Sequence, residues 1–255
     1  IGMEYPMICF NGGRTDKEGK FTDNVKYRTV LVIIHEVGHN YFPMIINSDE
    51  RQWTWMDEGL NTFLQYQTER AWTDESGKPF PSRRGPAKLI VPYMKGDKRY
   101  ISPIMTNSES IFQFGNNAYG KPCTALNILR ETVMGPELFD YAFKIYANRW
   151  KFKHPSPADF FRTMEDASSV DLDWFWNGWF YTTDHCDIAI TMMHQLKVDN
   201  QRPADETTKK SNQKNIKKLA KHSYQTVGGY IEQLVEKEIK KLEGKNGNNM
   251  SRVQG

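Results

Sequence analysis

The feature that most constrains this chain is an apolar segment that carries histidine, glutamate and histidine in its middle. The pattern predicts a helix from Tyr27 to Phe42, apolar on nearly every side and therefore buried, which ends at Pro43. Residues four apart lie on one face of a helix, so His35 and His39 can reach a single zinc ion. Glu36 is rotated by about 100° from His35, so it would stand beside the metal and take a proton from a bound water.

A pair of core histidines is the alternative interpretation of the same residues. The chain has only six histidines, so a chance H-E-x-x-H is expected in roughly one such sequence in a hundred. Histidine and glutamate without partners are costly to bury in an apolar helix, and a metal ion removes that cost. The context therefore favours a metal site over buried structural histidines.

Zinc catalysis needs a third protein ligand and an open fourth position. Glu58, in the stretch "WMDEGLNTF", follows His39 after eighteen residues, a gap that allows one loop and a return to the metal. A metzincin site would need glycine and histidine soon after the motif, but the sequence there is "NYFPMII". We therefore expect one ion, Zn²⁺, held by His35, His39 and Glu58.

The combination of HEVGH, eighteen residues and a glutamate within "WMDEG" resembles the aminopeptidase N family of zinc peptidases, a gluzincin family that includes the leukotriene hydrolases. The resemblance extends to "IGMEYP", "NNAYGKPCTALNILRE" and "DLDWFWNGWFYTTDH", and it covers roughly residues 1–195. It implies a thermolysin-like catalytic domain and a zinc-dependent aminopeptidase. Four residues depart from those usual for the family, namely Ile1, Tyr5, Asp57 and Pro122.

The resemblance also assigns roles to individual residues. Glu36 would be the general base for a zinc-activated water, and the Tyr119 hydroxyl would stabilise the oxyanion together with zinc. Glu4 would pair with the free α-ammonium of a peptide substrate, which places the N-terminal peptide bond at the metal. The acidic residue that often assists it in the family lies in an upstream region without a counterpart here.

Other functions compete with this interpretation. The runner-up among enzymes is a zinc endopeptidase of the thermolysin-like type, which would not need the free amine. A different class is a zinc-bearing binding module without catalysis, although a structural zinc site would need neither Glu36 nor Tyr119. Epoxide hydrolysis of the leukotriene type has only the family resemblance behind it.

The whole pattern predicts an α+β fold that is mostly helical, with a small β portion at the N-terminus. We expect the peptidase domain over residues 1–197 and a polar, basic linker with an amphipathic helix over residues 198–255. Residues 74–103 are expected to form a surface loop. The further predicted elements are a strand in "IGMEYPMICF", helices at Met56–Trp72, Ala118–Met134 and Pro136–Trp150, a helix capped by Ser156, a short aromatic helix in "DLDWFWNGWFY" and a closing strand in "CDIAITMM".

Composition excludes several classes of protein. The net charge of +3 is too small to indicate a nucleic-acid partner, and the basic excess lies in residues 201–255. Three cysteines without a CxxC pair give no disulfide framework, and no apolar run is long enough for a transmembrane segment. Ile1 opens the chain in what the pattern indicates is mid-strand, so we expect flanking domains in a longer protein. The lack of a visible signal peptide is therefore weak evidence for a cytoplasmic location. A location in the cell envelope or periplasm, or secretion, is slightly favoured over the cytoplasm.

Overall fold

The computed structural model describes residues 2–72 and 77–185, which form a mostly helical fold with a small N-terminal sheet. This confirms the predicted fold class. The strands and α-helices are β1 (Gly2–Tyr5), β2 (Ile8–Asn11), α1 (Asp23–Gly38), α2 (Leu60–Ala71), α3 (Ala87–Met94), α4 (Lys121–Ile128), α5 (Pro136–Trp150), α6 (Pro157–Ser168) and α7 (Asp173–Trp176). Four π-helical turns adjoin them, at Trp55–Gly59, Gly115–Gly120, Leu129–Val133 and Asn177–Tyr181. None of the helices in the described ranges is long and apolar enough to cross a membrane.

The first predicted strand is in fact a hairpin. β1 and β2 pair antiparallel, with Glu4 opposite Cys9 and Tyr5 opposite Ile8. The prediction of one continuous strand was wrong because Pro6 and Met7, the latter with a φ of 63°, turn the chain back on itself. The hairpin contacts α1, and this contact brings Glu4 towards the histidines.

Helix α1 begins four residues earlier than predicted, at Asp23, and ends four residues earlier, at Gly38 instead of Phe42. The Thr22 hydroxyl caps it by accepting a hydrogen bond from the Val25 amide at 3.3 Å, and the helix ends at Gly38. The prediction that α1 is buried on nearly every side was wrong. Among the described elements it packs mainly against α2 and the hairpin, and Ile33 and Val37 are 43% and 53% exposed.

The later helices follow the predicted pattern closely. Helix α5 has the predicted bounds, and Gly135, with a φ of 84°, separates it from the preceding helical segment. Ser156 and Asp159 form a reciprocal capping box at the start of α6, with Pro157 in its first turn. The predicted surface loop over residues 74–103 was wrong in part. It contains α3, whose buried face packs with Ile101 in a small separate cluster because its apolar residues recur at helical spacing.

The main core lies between α2, α4, α5, α6 and α7, and it is dominated by aromatic rings. Trp55 stacks on Phe161, with ring centroids 5.8 Å apart and planes 8° apart, and it also contacts Phe180. The largest fully buried apolar side chains are Phe42, Ile46, Trp55, Met56, Leu60, Phe63, Phe139, Tyr146, Phe160, Phe175 and Phe180. Since Trp55 and Met56 belong to the π-helical turn before α2, this core fixes the turn that carries Glu58.

Several predictions concern residues outside the described ranges. The closing strand in "CDIAITMM", the boundary between residues 197 and 198 and the amphipathic helix of the tail all lie beyond residue 185. They stay predictions.

Candidate metal centre

Two helices position the centre. His35 lies in the last turn of α1 and His39 directly follows it, while Glu58 lies in the π-helical turn that leads into α2. Asn61, in the first turn of α2, donates from its side chain to the backbone carbonyl of His35 at 2.8 Å. This buried hydrogen bond holds the end of α1 against the start of α2, so the three side chains meet.

The three predicted ligands converge on one point. The distance between the Nε2 atoms of His35 and His39 is 3.0 Å, and Glu58 Oε2 lies 3.0 Å from the first and 3.3 Å from the second. Ligand atoms about 2.0 Å from a tetrahedral ion lie about 3.3 Å apart. The triangle therefore has the size that a small metal ion requires.

The outer ring nitrogens are engaged in hydrogen bonds, which leaves the Nε2 atoms for a metal. Nδ1 of His35 lies 2.9 Å from the side-chain carbonyl oxygen of Gln65. Nδ1 of His39 donates to the backbone carbonyl of Phe42 at 2.8 Å and also lies 2.9 Å from a carboxylate oxygen of Asp57. Such partners are typical of metal-ligating histidines.

The electrostatics of the cluster require a positive charge at its centre. Burial alone would raise the pKa of Glu58, but its contacts with His35, His39 and Tyr119 lower it to about 2, so the carboxylate is ionised. Burial opposes a charge on His39, yet the carboxylates of Asp57 and Glu58 raise its pKa well above the usual value. In the metal-free protein a proton supplies this charge, and a divalent cation can replace it. The residues thus fit a metal ion in size, donor type and charge.

Glu36 lies beside the ligands and is 6% exposed. Its Oε2 atom has no hydrogen-bond partner among the residues that the structure describes. Burial raises its pKa, although the imidazoles of His35 and His39 counteract this. Gly2 of β1 approaches so closely that a Cβ there would lie 2.0 Å from Glu36 Oε1. An unpartnered, buried carboxylate with a raised pKa has the properties of a general base.

Tyr119 joins the centre from the π-helical turn before α4. Its hydroxyl donates to Glu58 Oε1 at 2.5 Å, and its ring stacks against that of His35 with centroids 5.8 Å apart. The Arg84 guanidinium lies 4.5 Å from the centroid of the Tyr119 ring. Burial and the charge of Glu58 raise the pKa of Tyr119, so its hydroxyl keeps its proton and can donate a hydrogen bond.

Glu4 lies at the same centre, and the structure adds a residue that the sequence analysis missed. One carboxylate oxygen of Glu4 is within 4.8 Å of ligand atoms of both Glu36 and His39. Glu50, on the loop between α1 and α2, likewise comes within 4.8 Å of Glu4 and Asp57. Nothing in the local sequence "NSDERQ" marks Glu50, because the contact depends on the hairpin and the loop meeting in space.

Sequence reasoning also missed Gln65 and Glu69, which lie behind His35. Gln65 contacts His35 as described, and its side-chain amide donates to Glu69 Oε1 at 2.5 Å. A signal was present, since Glu58, Gln65 and Glu69 are spaced by seven and four residues and so share a face of the predicted helix Met56–Trp72. All six predicted site residues are brought together by the structure, and their individual roles stay predictions.

Comparison with known proteins identifies the family. Residues 15–179, more than half of the chain, match the model of the Peptidase family M1 domain. Glutamyl aminopeptidase of Sus scrofa is 22% identical over 181 residues, which cover 69% of this chain and 18% of that protein. Glutamyl aminopeptidase of Rattus norvegicus is 24% identical over 60% of this chain and 16% of that protein. Probable aminopeptidase 2 of Sulfurisphaera tokodaii is 24% identical over 84% and 27%, respectively.

The chain therefore spans between 16% and 27% of the length of these three relatives. The family match agrees with the resemblance noted from HEVGH and "WMDEG", which is thereby confirmed at the level of the family. This chain belongs to peptidase family M1.

Proposed function

We propose that the protein is a zinc-dependent aminopeptidase that hydrolyses the N-terminal peptide bond of its substrates. The observation that carries this proposal is the convergence of His35, His39 and Glu58 within 3.3 Å of one another, beside Glu36, whose Oε2 atom has no hydrogen-bond partner in the part of the chain that the structure describes. The aminopeptidases among its relatives support the reaction class.

The residues around the ligands divide the chemistry between them. When bound, zinc would supply a Lewis acid and lower the pKa of a water molecule from about 15.7 towards 7. Glu36 accepts a proton from that water and passes it to the leaving amine, for which its raised pKa is suited. Tyr119, kept neutral by its raised pKa, donates a hydrogen bond to the oxyanion that develops on the scissile carbonyl.

A pair of carboxylates supports the preference for a free N-terminus. Glu4 and Glu50 approach each other on the hairpin side of the centre, where Glu50 is exposed and Glu4 is partly exposed. Two carboxylates at this distance repel each other unless a cation lies between them. The α-ammonium group of a peptide is such a cation, and holding it there would place the first peptide bond next to Glu36.

The test combines metal analysis with turnover of matched substrates. The protein is assayed on a panel of aminoacyl reporter amides and on the same amides with an acetylated amine, with and without a chelator. We expect one zinc per chain, turnover of the free amines that the chelator abolishes, and little turnover of the acetylated forms. Equal turnover of both forms would instead indicate a zinc endopeptidase.

A pair of isosteric variants separates catalysis from binding. Glu36→Gln should retain zinc but lose turnover by more than about a hundredfold, because general bases typically contribute 10²–10⁴ in rate. Glu109→Gln removes a surface carboxylate whose ion pair, within the described ranges, is with the exposed Arg51, so this variant should behave like the parent. A Glu36→Gln protein with undiminished turnover would exclude the proposed mechanism.

A further inference from the structure

A buried chain of hydrogen bonds leads away from the metal centre. Nδ1 of His35 lies 2.9 Å from the carbonyl oxygen of Gln65, and the Gln65 amide donates to Glu69 at 2.5 Å. All three side chains are buried, and Glu69 is only 2% exposed. The mechanism proposed above uses none of the groups beyond His35, so a carboxylate buried there requires a reason.

The carboxylate of Glu69 sets the direction of the hydrogen bonds between Glu69, Gln65 and His35. An ionised carboxylate can only accept hydrogen bonds, so Gln65 must turn its amide nitrogen towards Glu69. Its carbonyl oxygen then faces His35 and can only accept, which requires the proton of the neutral imidazole to be on Nδ1. The Nε2 atom is consequently left with a free lone pair that points at the other ligands.

Three neighbours of Glu69 stabilise its ionised form, although burial outweighs them and raises its pKa overall. Burial raises its pKa, but hydrogen bonds from Ser82 and Gln65 and the positive charge of Arg84 counteract this. Arg84 makes no ion pair within 4.0 Å of a carboxylate among the described residues, so its charge acts on Glu69 through space. A neutral amide in place of Glu69 could accept as well as donate, and Gln65 would then be free to turn over.

We propose that Glu69 is a positioning residue that fixes the tautomer of His35 through Gln65 and thereby prepares its Nε2 atom for the metal. This inference rests on the proposed function in that His35 binds zinc. Its direct consequence concerns Glu69, a side chain two hydrogen bonds from the ligand His35. Replacing Glu69 should therefore weaken zinc binding although Glu69 cannot touch the ion.

The first measurement is the dissociation constant of zinc, obtained by competition with a chromophoric chelator. Loss of such an outer partner typically weakens metal affinity by about 10- to 100-fold, and we expect this for Glu69→Gln. The control Glu109→Gln should match the parent. Combining Gln65→Glu with Glu69→Gln moves the carboxylate one step closer to His35 and keeps a donor behind it, so this double variant should recover most of the affinity.

The second measurement reads the tautomer directly and does not depend on zinc. The ¹⁵N chemical shifts of the histidine side chains in the metal-free parent should show His35 protonated on Nδ1, and Glu69→Gln should populate the Nε2-protonated form. A parent that carries the Nε2 proton would overturn the proposal, even if Glu69→Gln failed to fold. So would a folded Glu69→Gln protein with the parent's tautomer and zinc affinity. A parent that shows the expected tautomer but binds no zinc would contradict the proposed function and leave the effect of Glu69 on the His35 tautomer intact.

Discussion

The two sides of the candidate site differ in how they are held. The metal side consists of His35, His39 and Glu58, which are buried or nearly so and whose outer atoms are fixed by hydrogen bonds within and between α1 and α2. The opposite side consists of Glu4, on a two-stranded hairpin, and Glu50, on an exposed loop. The difference indicates that the geometry for the metal is built into the packing, whereas the geometry for the substrate depends on two surface segments. Changes on the buried side should therefore cost more.

The prediction with the largest expected effect on this comparison concerns Tyr119, at the edge of the buried side. Tyr119→Phe removes the hydroxyl that donates to Glu58 but keeps the ring that stacks on His35. Loss of one oxyanion donor typically lowers kcat by about 10²–10³, so we expect this decrease with little change in KM. Steady-state kinetics on an aminoacyl amide measures it. A decrease confined to KM would place Tyr119 in substrate binding instead.

Burial also has a cost in stability at Lys121, two residues after Tyr119. Its side chain is 1% exposed and, among the described residues, donates only to the backbone carbonyl of Thr182, and burial lowers its pKa from 10.5 to about 8. Below pH 8 the lysine is charged in both the folded and the unfolded protein, so the folded state bears the full cost. Between pH 8 and 10.5 the folded state loses its proton first, and the cost disappears. A shift of this size corresponds to about 3 kcal/mol.

Lys121→Met should therefore stabilise the metal-free protein at neutral pH by roughly 2 kcal/mol, since the lost hydrogen bond to Thr182 offsets about 1 kcal/mol of the gain. The advantage should shrink as the pH rises from 8 to 10.5. Urea unfolding of both proteins across this range measures the difference, in which the titration of all other groups cancels. A constant difference at all pH values would show that Lys121 is not desolvated in the folded state.

The sequence predicted the buried side better than the exposed side, and the reason is physical. His35, Glu36 and His39 are adjacent on one helix, so their spacing alone fixes their relative directions. The helix bounds were also readable where caps and stop signals are local, as at Ser156 and Gly135. Glu58 was found from its distance along the chain, and its convergence with the histidines follows from the contact between α1 and α2.

The errors fall where tertiary contacts decide the outcome. The apolar surface of α1 suggested burial, but the described residues leave Ile33 and Val37 exposed. The hairpin was mistaken for one strand because a turn centred on Pro6 and Met7 interrupts an apolar run without glycine or asparagine. Glu50 could not be predicted, because its proximity to Glu4 depends on a loop and a hairpin that have no sequence relation to each other.

The prediction with the smallest expected effect concerns Glu50 and Glu4, on the exposed side. Glu50→Gln keeps the size of the side chain but removes one of the two charges that would face the substrate amine, and Glu4→Gln removes the other. Glu50 is exposed, so we expect KM to rise by only about tenfold, the equivalent of 1.4 kcal/mol, with a larger rise for Glu4→Gln. Kinetics on a free-amine amide and on its acetylated form measures this, and the ratio of the two activities should fall in both variants. If Glu50→Gln lowered activity on both forms equally, Glu50 would act on the fold of the loop rather than on the amine, and the exposed side would be held by Glu4 alone.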